Sequence, residues 1–473
     1  MKRIKKIIAI DETLMAEISL DNIIEATGGR FLGRPGISFS GVSIDSRAIT
    51  GSDLFFAIRG DRFDGHDFLD TALSVCAGAV VERIPVSFDQ DKTLIYVKDT
   101  LRALQDLAHY IRSRCSIPVV AVTGSNGKTT TKEMLWHVLS SKFRTHRNEG
   151  NLNNHIGLPL SIMKLASDDE AMVLEMGMNA AGEIRRLCEI AEPGYGIITN
   201  VGLAHIGMLG TQRAVRDAKL EMLQNLGTAV LNSDDDYLMQ GVRELKDFEG
   251  EIITFGIDSD ADVRASDLVP VSGGINFTLQ IRNGDNAMVT LRASGTFNVY
   301  NALAAAAVGY ALGMDAGSMA SALSKYRGVS MRFEIIPIAG MILIDDSYNA
   351  NPGSVTEALR ELVHLAEGRR VAVLGDMGEL GDHAESAHSE IVHLAATQGI
   401  EVFVAVGRMM SRAAEEVFKE RENESGLEVY QFGDSDTAAA GISKILRVGD
   451  TLLVKGSRSM QMDIIVRSIK NAV

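Results

Sequence analysis

Cysteine, proline and tryptophan are scarce in this chain of 473 residues, which contains three cysteines, eight prolines and one tryptophan. Cys76, Cys115 and Cys188 are far apart and odd in number, so neither a disulfide framework nor a cysteine-rich metal site is expected. Uninterrupted apolar runs of about 20 residues, the length that spans a bilayer, are also missing. The sequence therefore predicts a cytoplasmic protein with reduced thiols and no membrane insertion.

A secretory signal is not expected either. Met1 to Lys6 is basic, but the apolar run that follows ends at Asp11, which is too short for the core of a signal peptide. Basic residues are outnumbered overall: the net charge is −15 at pH 7. This charge argues against binding to nucleic acid or to an anionic membrane surface. An anionic substrate would have to meet local cations and backbone N–H groups.

Composition and pattern together predict an α/β protein with three domains. The chain is 46% hydrophobic and 23% charged, which is typical of a globular protein, and its length suggests about three domains. A smaller mixed α/β pattern is followed by alternating strands and helices typical of a mostly parallel sheet, with an antiparallel edge over 262–293 around Asn283-Gly284. The pattern then restarts as a second, smaller doubly wound unit. The predicted boundaries are 1–116, 117–332 and 333–473.

A phosphate-binding loop follows the first strand of the central unit. Strand 119–122 leads into Gly124-Ser125-Asn126-Gly127-Lys128-Thr129-Thr130 and a helix predicted over 132–141. In such a loop, backbone N–H groups and the helix N-terminus face the anion, the lysine reaches the outer phosphates and a hydroxyl binds Mg²⁺. Val122 stands where the general pattern has glycine, so the loop is a shortened form with Gly124 as its first glycine.

Other polar residues follow neighbouring strands, where parallel sheets place ligands. Glu175 ends one strand and His205 follows the next; with Thr129 they could hold Mg²⁺ on nucleotide phosphates. Taken singly, each could equally be a solvated strand-end residue. Lys219 lies in a helix predicted over 211–226 and, on the pattern alone, is read as a surface lysine.

Several further clusters have two readings each. The asparagines of 148–154 form either a turn cluster or a polar ligand surface, and the Ser46-Arg47 stretch either holds a phosphate or sugar or belongs to a hairpin. Arg332 lies at a domain junction where it could reach a phosphoryl group. Asp346 either belongs to a site with Tyr348 and Asn349 or caps a helix.

Three more residues complete the pattern. Arg458 could bind a carboxylate or phosphate through two hydrogen bonds. Asn298 is predicted to cap the alanine-rich helix that follows it. His388 shares a helix with His393 at a spacing that is not typical of a metal site, so no function is assigned to it.

Together these motifs resemble the ATP-dependent Mur ligases over nearly the whole chain. The stretches that carry the resemblance are 45–47, 63–66, 123–130, 153–159, 175–177, 198–205, 218–219, 300–302, 331–334, 346–352, 375–381 and 455–458. The shortened loop is the form that this family uses. The stretches 346–352 and 375–381 point to the members that add D-Ala-D-Ala.

The resemblance implies roles for individual residues. Lys128 would bind the β- and γ-phosphates of ATP within loop 124–130, while Asn301, Arg332 and Asp346 would contact the nucleotide. Two Mg²⁺ ions are expected, held by Thr129, Glu175, His205 and a carbamylated Lys219. The residues expected to take part in catalysis are Lys128, Lys219, His205 and Arg332. Those expected to bind the other substrates are Ser46, Arg47, Asn153, Asn154, Tyr348, Asn349 and Arg458.

The implied activity is peptide-bond formation driven by ATP. D-Ala-D-Ala would be joined to the C-terminal carboxylate of UDP-MurNAc-tripeptide through an acyl phosphate, giving the UDP-MurNAc-pentapeptide used in peptidoglycan synthesis; the protein is expected to be a monomer. A sibling ligase such as folylpolyglutamate synthetase is one alternative. A nucleotide-dependent switch is another, although no Asn-Lys-x-Asp guanine motif is present.

Overall fold

The structure is a computed structural model that describes residues 17–60, 62–245, 248–419 and 427–471. The basic segment from Met1 to Lys6 lies outside the described residues. Three sheets of five, nine and six strands follow one another along the chain, beside one small two-stranded pairing. The prediction of an α/β fold built on mostly parallel sheets is confirmed.

The N-terminal unit is a five-stranded sheet with the order β2-β7-β6-β5-β4, in which only β2 runs antiparallel to its neighbour. The five strands are β2 Arg30–Gly33, β4 Gly41–Ser43, β5 Asp53–Phe56, β6 Gly78–Val81 and β7 Thr93–Tyr96, whereas β1 Ile18–Ser19 and β3 Ser38–Phe39 form the separate two-stranded pairing. The helices of this unit are α1 Leu20–Thr27, α2 Leu69–Val75 and α3 Thr100–Ser113.

The central unit is a nine-stranded sheet with the order β16-β15-β14-β13-β12-β11-β8-β10-β9. Its strands are β8 Val119–Thr123, β9 Thr145–Arg147, β10 Ala171–Glu175, β11 Tyr195–Ile198, β12 Thr228–Asn232, β13 Glu251–Gly256, β14 Val263–Val271, β15 Gly274–Ile281 and β16 Asn286–Leu291. Its helices are α4 Lys128–Ser140, α5 Gly157–Ile162, α6 Glu183–Ala191, α7 Ile206–Leu209, α8 Gln212–Leu220, α9 Asp236–Glu244, α10 Thr296–Ala311 and α11 Ala316–Leu323. The antiparallel edge predicted around Asn283-Gly284 is confirmed by β14 to β16.

The C-terminal unit is a six-stranded sheet with the order β17-β18-β22-β19-β20-β21, parallel except at its β17 edge. Its strands are β17 Glu334–Ile338, β18 Met341–Asp346, β19 Arg370–Gly375, β20 Val402–Val406, β21 Glu428–Phe432 and β22 Thr451–Lys455. Its helices are α12 Pro352–Leu365, α13 Ala384–Thr397, α14 Arg408–Lys419, α15 Ser435–Gly441 and α16 Asp463–Asn471.

The central strands are buried on both faces, which explains their continuous apolar runs. Val120 and Val122 pack into the cluster under α4, α10 and α11, whereas Val119 and Ala121 pack into the cluster on the opposite face. The sheet order then sets the site: β11 and β10 flank β8, so the carboxyl ends of these three strands lie side by side.

Two helix boundaries differ from the prediction, and both matter for the site. α4 begins at Lys128 rather than at residue 132, because Gly127, in the left-handed region at φ 81°, ends the loop directly before it. The helix predicted over 211–226 ends as an α-helix at Leu220 and continues only as a short 3₁₀ turn.

The prediction that Asn298 caps the alanine-rich helix is wrong. α10 starts at Thr296, one turn earlier, and Asn298 lies inside it, where its side chain donates to the carbonyl of Ser294. The helix is otherwise the buried element expected from its composition, since Ala302 to Ala307 are fully enclosed. Within the parts of the chain that the structure describes, no helix is both long and apolar enough to cross a membrane.

Arg112 ties the N-terminal unit to the central one. Its guanidinium is buried and donates to three carbonyls, those of Ala191, Glu192 and Cys115, at 2.7 to 3.0 Å. Burial lowers the pKa of this arginine. The three carbonyls, two at the end of α6 and one just after α3, accept hydrogen bonds from the guanidinium and so stabilise its charge.

Replacing this guanidinium leaves buried carbonyls without donors, so we expect Arg112→Met to lower the thermal midpoint of unfolding by about 5 °C. Differential scanning calorimetry measures the shift. Arg102→Ala is the matched control on the same helix, because Arg102 is largely exposed and its ion pair with Asp106 contributes little. Equal midpoints for the two variants would contradict the structural role of Arg112.

Candidate active site at the junction of two units

The predicted site residues converge on one cavity of about 580 Å³ between the central and C-terminal sheets. Those that line it are Ser125, Asn126, Gly127, Lys128, Thr129, Thr130, Asn153, Asn154, Glu175, His205, Asn301, Arg332, Asp346, Tyr348 and Asn349. Lys455, which the predictions left out of the site, lines it too. Ser46, Arg47, Lys219 and Arg458 do not line this cavity.

The phosphate loop is held tightly against its neighbours. A Cβ on Gly124 would lie 1.8 Å from Thr199 Oγ1, and one on Gly127 would lie 2.3 Å from Asn301 Oδ1, so both positions need glycine. The N-terminus of α4 has no side-chain cap. Its first backbone N–H groups therefore have no acceptor within the helix and form a ready anion site.

Lys128 lies at the start of this helix with its ammonium folded over the loop. Its Nζ donates to the carbonyls of Gly124 at 2.8 Å and Ser125 at 3.3 Å. Burial, and to a smaller extent the positive charge of Arg332, lower the pKa of Lys128, while Glu175 opposes that shift. An incoming phosphate would restore a counter-charge to this ammonium.

Glu175 is the best-fixed acid of the site. One carboxylate oxygen accepts from Thr129 Oγ1 and the other from Asn153 Nδ2, both at 2.8 Å. Asn148 holds the backbone on both sides of the same residue: its side chain accepts from Glu175 N–H and donates to Glu175 C=O. The structure thus brings Thr129, Glu175 and Asn153 together.

The asparagine stretch forms a turn, and Asn153 and Asn154 also line the cavity. Asn153 contacts Glu175, whereas Asn154 accepts from the backbone of Ile156 and Gly157 and so shapes the turn before α5. Asn148 was missed as a supporting residue. Only its fully enclosed position between β9 and β10 reveals the role, and the sequence pattern carries no signal for that.

His205 occupies the left-handed region at φ 63° just before α7. Its ring nitrogen Nδ1 lies 2.6 Å from Glu379 Oε2, a residue of the C-terminal unit. The close approach of the His205 ring lowers the pKa of the Glu379 carboxyl. Glu379 was quoted in a motif but not predicted as a site residue.

Lys219 is not the surface lysine that its helical position suggested. Only 1% of its area is exposed, and within the described ranges of the chain no hydrogen-bond or ion-pair partner contacts its amine. Burial, together with repulsion from Lys128, lowers the pKa of Lys219 well below its ordinary value. The shift favours the uncharged amine over the ammonium.

The C-terminal unit contributes a stacked group of cations. The guanidinium of Arg332 lies 4.1 Å above the Tyr348 ring, and that of Arg458 lies 5.6 Å from the same ring. Asp346 does not cap α12, because Asn351 does; it accepts instead from Lys455 Nζ at 2.6 Å and from the backbone of Phe333. Arg458 therefore lies next to the cavity, because its guanidinium is close to the Tyr348 ring, which lines it.

The N-terminal residues Ser46 and Arg47 lie in another part of the molecule. Arg47 is exposed and its guanidinium pairs with Asp45 at 2.7 Å. Asn301, by contrast, is buried beside the loop: its side chain accepts from Thr131 and donates to Asn298.

The donor set fits a divalent cation only together with a nucleotide. Among the residues that the structure describes, no three His, Cys, Asp or Glu side chains cluster as a metal site. Thr129, Glu175 and His205 instead offer a hydroxyl, a carboxylate and an imidazole along one cavity wall. Mg²⁺ prefers such sparse protein sites, where phosphate oxygens and water complete its coordination.

Three family descriptions match the chain in succession: "Mur ligase family, catalytic domain" over residues 38–112, "Mur ligase middle domain" over 122–309 and "Mur ligase, glutamate ligase domain" over 331–458. The UDP-N-acetylmuramoyl-tripeptide–D-alanyl-D-alanine ligase of Bacillus subtilis is 34% identical over 91% of this chain and 93% of its own length.

Two solved structures are similar to this chain over most of its length. A crystal structure of MurF from Acinetobacter baumannii has a TM-score of 0.89 and 31% identity, covering 97% of this chain and 99% of that one. The MurF ligase of Thermotoga maritima in complex with ADP has a TM-score of 0.80 and 27% identity, covering 91% and 97%.

The two fully buried lysines of this unit give a direct stability test. Lys219 has no partner among the residues that the structure describes, whereas Lys132 donates to the carbonyl of Asn148 at 2.8 Å and pairs with Glu133. We expect Lys219→Met to raise the thermal midpoint by about 3 °C at pH 7 in metal-free, CO₂-depleted buffer, because an unpaired buried amine is removed. Lys132→Met, the matched control, should lower it.

The pH dependence of this difference has a defined sign. The folded-state pKa of Lys219 is depressed, so between the folded and unfolded values the unfolded chain binds the extra proton. Stability then rises with pH across that window, and the advantage of Lys219→Met should shrink as pH approaches the ordinary lysine pKa. A gain that does not change with pH would contradict the unpaired state of the amine.

Proposed function

The chain belongs to the Mur ligase family, and we propose that it uses ATP to join D-Ala-D-Ala to the C-terminal carboxylate of UDP-MurNAc-tripeptide. The observation that carries the proposal is the single cavity in which an uncapped helix N-terminus and Lys128 face Arg332 and Tyr348 of the next unit. The same substrates stand in the name of the Bacillus subtilis relative that matches 91% of the chain.

The first step needs alignment and charge neutralisation. An oxygen of the tripeptide carboxylate attacks the γ-phosphorus of ATP, the bond from that phosphorus to the bridging oxygen breaks, and ADP leaves. Lys128 and the N-terminus of α4 bind the phosphates, and Arg332 neutralises charge on the transferred group. The nucleotide is contacted by residues 124–130, Asn301 and Asp346. The ion pair with Lys455 holds the Asp346 carboxylate in place.

The second step forms the peptide bond. The amine of D-Ala-D-Ala attacks the acyl carbon, and phosphate leaves from the tetrahedral intermediate as the nitrogen loses its proton. Arg458 binds the dipeptide carboxylate, with Tyr348 and Asn349 beside it. The backbone N–H of Arg458 donates to Asn349 Oδ1 at 3.2 Å, which holds these two residues next to each other. Asn153 and Asn154 contact the tripeptide, and Ser46 and Arg47 the UDP end.

Two Mg²⁺ ions belong to this proposal, held by Thr129, Glu175, His205 and a carbamylated Lys219. Bound there, they would neutralise the phosphates. The neutral amine of Lys219 attacks CO₂, a nitrogen–carbon bond forms and a proton is lost, so the side chain becomes a carboxylate. That change places a negative charge, in place of a group that could be protonated, near the ammonium of Lys128. We also place the enzyme in the cytoplasm, as a monomer.

A coupled ADP-release assay tests the activity, with ATP, UDP-MurNAc-tripeptide and D-Ala-D-Ala each omitted in turn. We expect release only with all three, and none when folates with glutamate replace the muramoyl peptide and dipeptide. Turnover without an amine acceptor would favour a nucleotide switch, and turnover with folates a folylpolyglutamate synthetase.

Lys128→Ala removes the ammonium that faces the outer phosphates, and we expect it to reduce ADP release at least about 1000-fold while the thermal midpoint stays near wild type. Lys325→Ala, an exposed lysine of the same unit, is the control and should be fully active. Near-normal turnover by Lys128→Ala would overturn the role of the loop.

Lys219→Ala removes the amine that becomes carbamylated. We expect most activity to be lost and part of it to return when formate or acetate is added, since a small carboxylic acid can fill the vacated space and supply the missing carboxylate. Lys132→Ala provides the contrast: its loss is structural, so added acid should not restore activity. Activity near wild type for Lys219→Ala without acid would exclude the carbamate.

A further inference from the structure

One loop of the C-terminal unit reaches the candidate cation site of the central unit. It follows β19 and spans residues 376–381, and its Glu379 Oε2 lies 2.6 Å from His205 Nδ1. The two atoms are close together, although they are not aligned as a hydrogen bond, and His205 Nδ1 has no hydrogen-bond partner among the described residues. Contacts of this kind commonly tighten when ligands bind.

The backbone holds the two loops together beside that contact. Gly207 N–H donates to the carbonyl of Glu379 at 2.9 Å, and a Cβ on Gly207 would lie 2.4 Å from Gly381 N. Ile206, the residue after His205, is buried in the apolar cluster of the C-terminal unit. The His205 loop is therefore packed into the C-terminal unit.

The buried side chain of His388 holds the loop that carries Glu379 in place. His388, on α13, is fully enclosed; its Nε2 accepts from Met377 N–H at 2.9 Å and its Nδ1 donates to the carbonyl of Ala384 at 2.6 Å. Because Nε2 must be an acceptor there, the ring has its proton on Nδ1. His388, to which the sequence analysis assigned no function, thus anchors the loop.

We propose that Glu379 is a positioning residue that acts through His205: it holds the imidazole with the proton on Nδ1 and leaves Nε2 for the cation. This inference rests on the proposed function, which assigns His205 to a cation. Carboxylates that bind the other ring nitrogen of a metal-bound histidine fix its tautomer and orientation, and their loss weakens metal binding about 10–100-fold.

The arrangement makes the central cation site depend on the unit that binds the amine. Glu379 reaches His205 only while loop 376–381 is packed on Ile206 and Gly207. A cation bound tightly only in this arrangement would favour phosphoryl transfer when the second substrate's binding unit is in place. Acyl phosphate would then form where water is excluded and the amine can reach it.

Binding of Mn²⁺ in the presence of ADP tests the proposal without turnover. Free Mn²⁺ is measured by electron paramagnetic resonance on the full-length protein, with thermal unfolding as a check of folding. Glu379→Ala should weaken Mn²⁺ binding about 10-fold or more. Glu385→Ala is the matched control: this glutamate is exposed on the same unit and pairs with Arg412, so the variant should bind Mn²⁺ as wild type does.

A second variant separates the contact from the charge of Glu379. Gly207→Ala keeps both side chains but forces the two loops apart, so it should weaken Mn²⁺ binding as Glu379→Ala does. Glu379→Gln keeps an acceptor for Nδ1 and should fall between Glu379→Ala and wild type. Wild-type affinity in Glu379→Ala would overturn the proposal.

The two proposals fail in different ways. If wild-type protein shows no ADP-dependent Mn²⁺ site, Glu379 has no such role, whatever the ligase assay gives. If Glu379→Ala weakens Mn²⁺ binding but wild-type protein does not join the muramoyl peptide to D-Ala-D-Ala, the positioning role stands and the proposed activity fails.

Discussion

The close packing of the phosphate loop against two other elements is the constraint on which the site depends. Gly124 touches Thr199 at the end of β11, and Gly127 touches Asn301 inside α10, at distances that exclude any side chain on either glycine. The loop therefore fixes the spacing of strand, loop and helix at once. Thr129 then meets Glu175 because β10 lies directly beside β8, and His205 follows from the neighbouring strand on the other side.

Repulsion between cations is the second feature of the site. The charge of Arg332 acts on Lys128 and that of Lys128 acts on Lys219, although Glu175 opposes the effect on Lys128; the N-terminus of α4 adds its dipole. These cations lie together in a chain with a net charge of −15, so the attraction of an anion must be local. Under the proposed function, polyphosphate and the carbamylation of Lys219 would each relieve this repulsion.

The sequence analysis identified the cavity residues that follow strand ends. It missed the residues whose position depends on tertiary packing. Gly127, Lys128, Glu175 and His205 were found because parallel strands gather their carboxyl ends at one edge. Asn148, which holds the Glu175 backbone, and Glu379, which contacts His205 from another unit, carry no local signal. Lys219 was read as exposed because helical periodicity cannot reveal an unpaired buried amine. The predicted Asn298 cap failed since Gly295 and Thr296 start the helix a turn earlier.

Tyr348 brings two cations of the C-terminal unit together. The guanidinium groups of Arg332 and Arg458 both lie within the range of a cation–π contact with its ring. Two guanidinium groups near one ring repel each other unless anions lie between or beside them. Under the proposed function, ATP would supply an anion near Arg332 and the dipeptide carboxylate would supply one near Arg458. Each substrate would then favour the arrangement that the other needs.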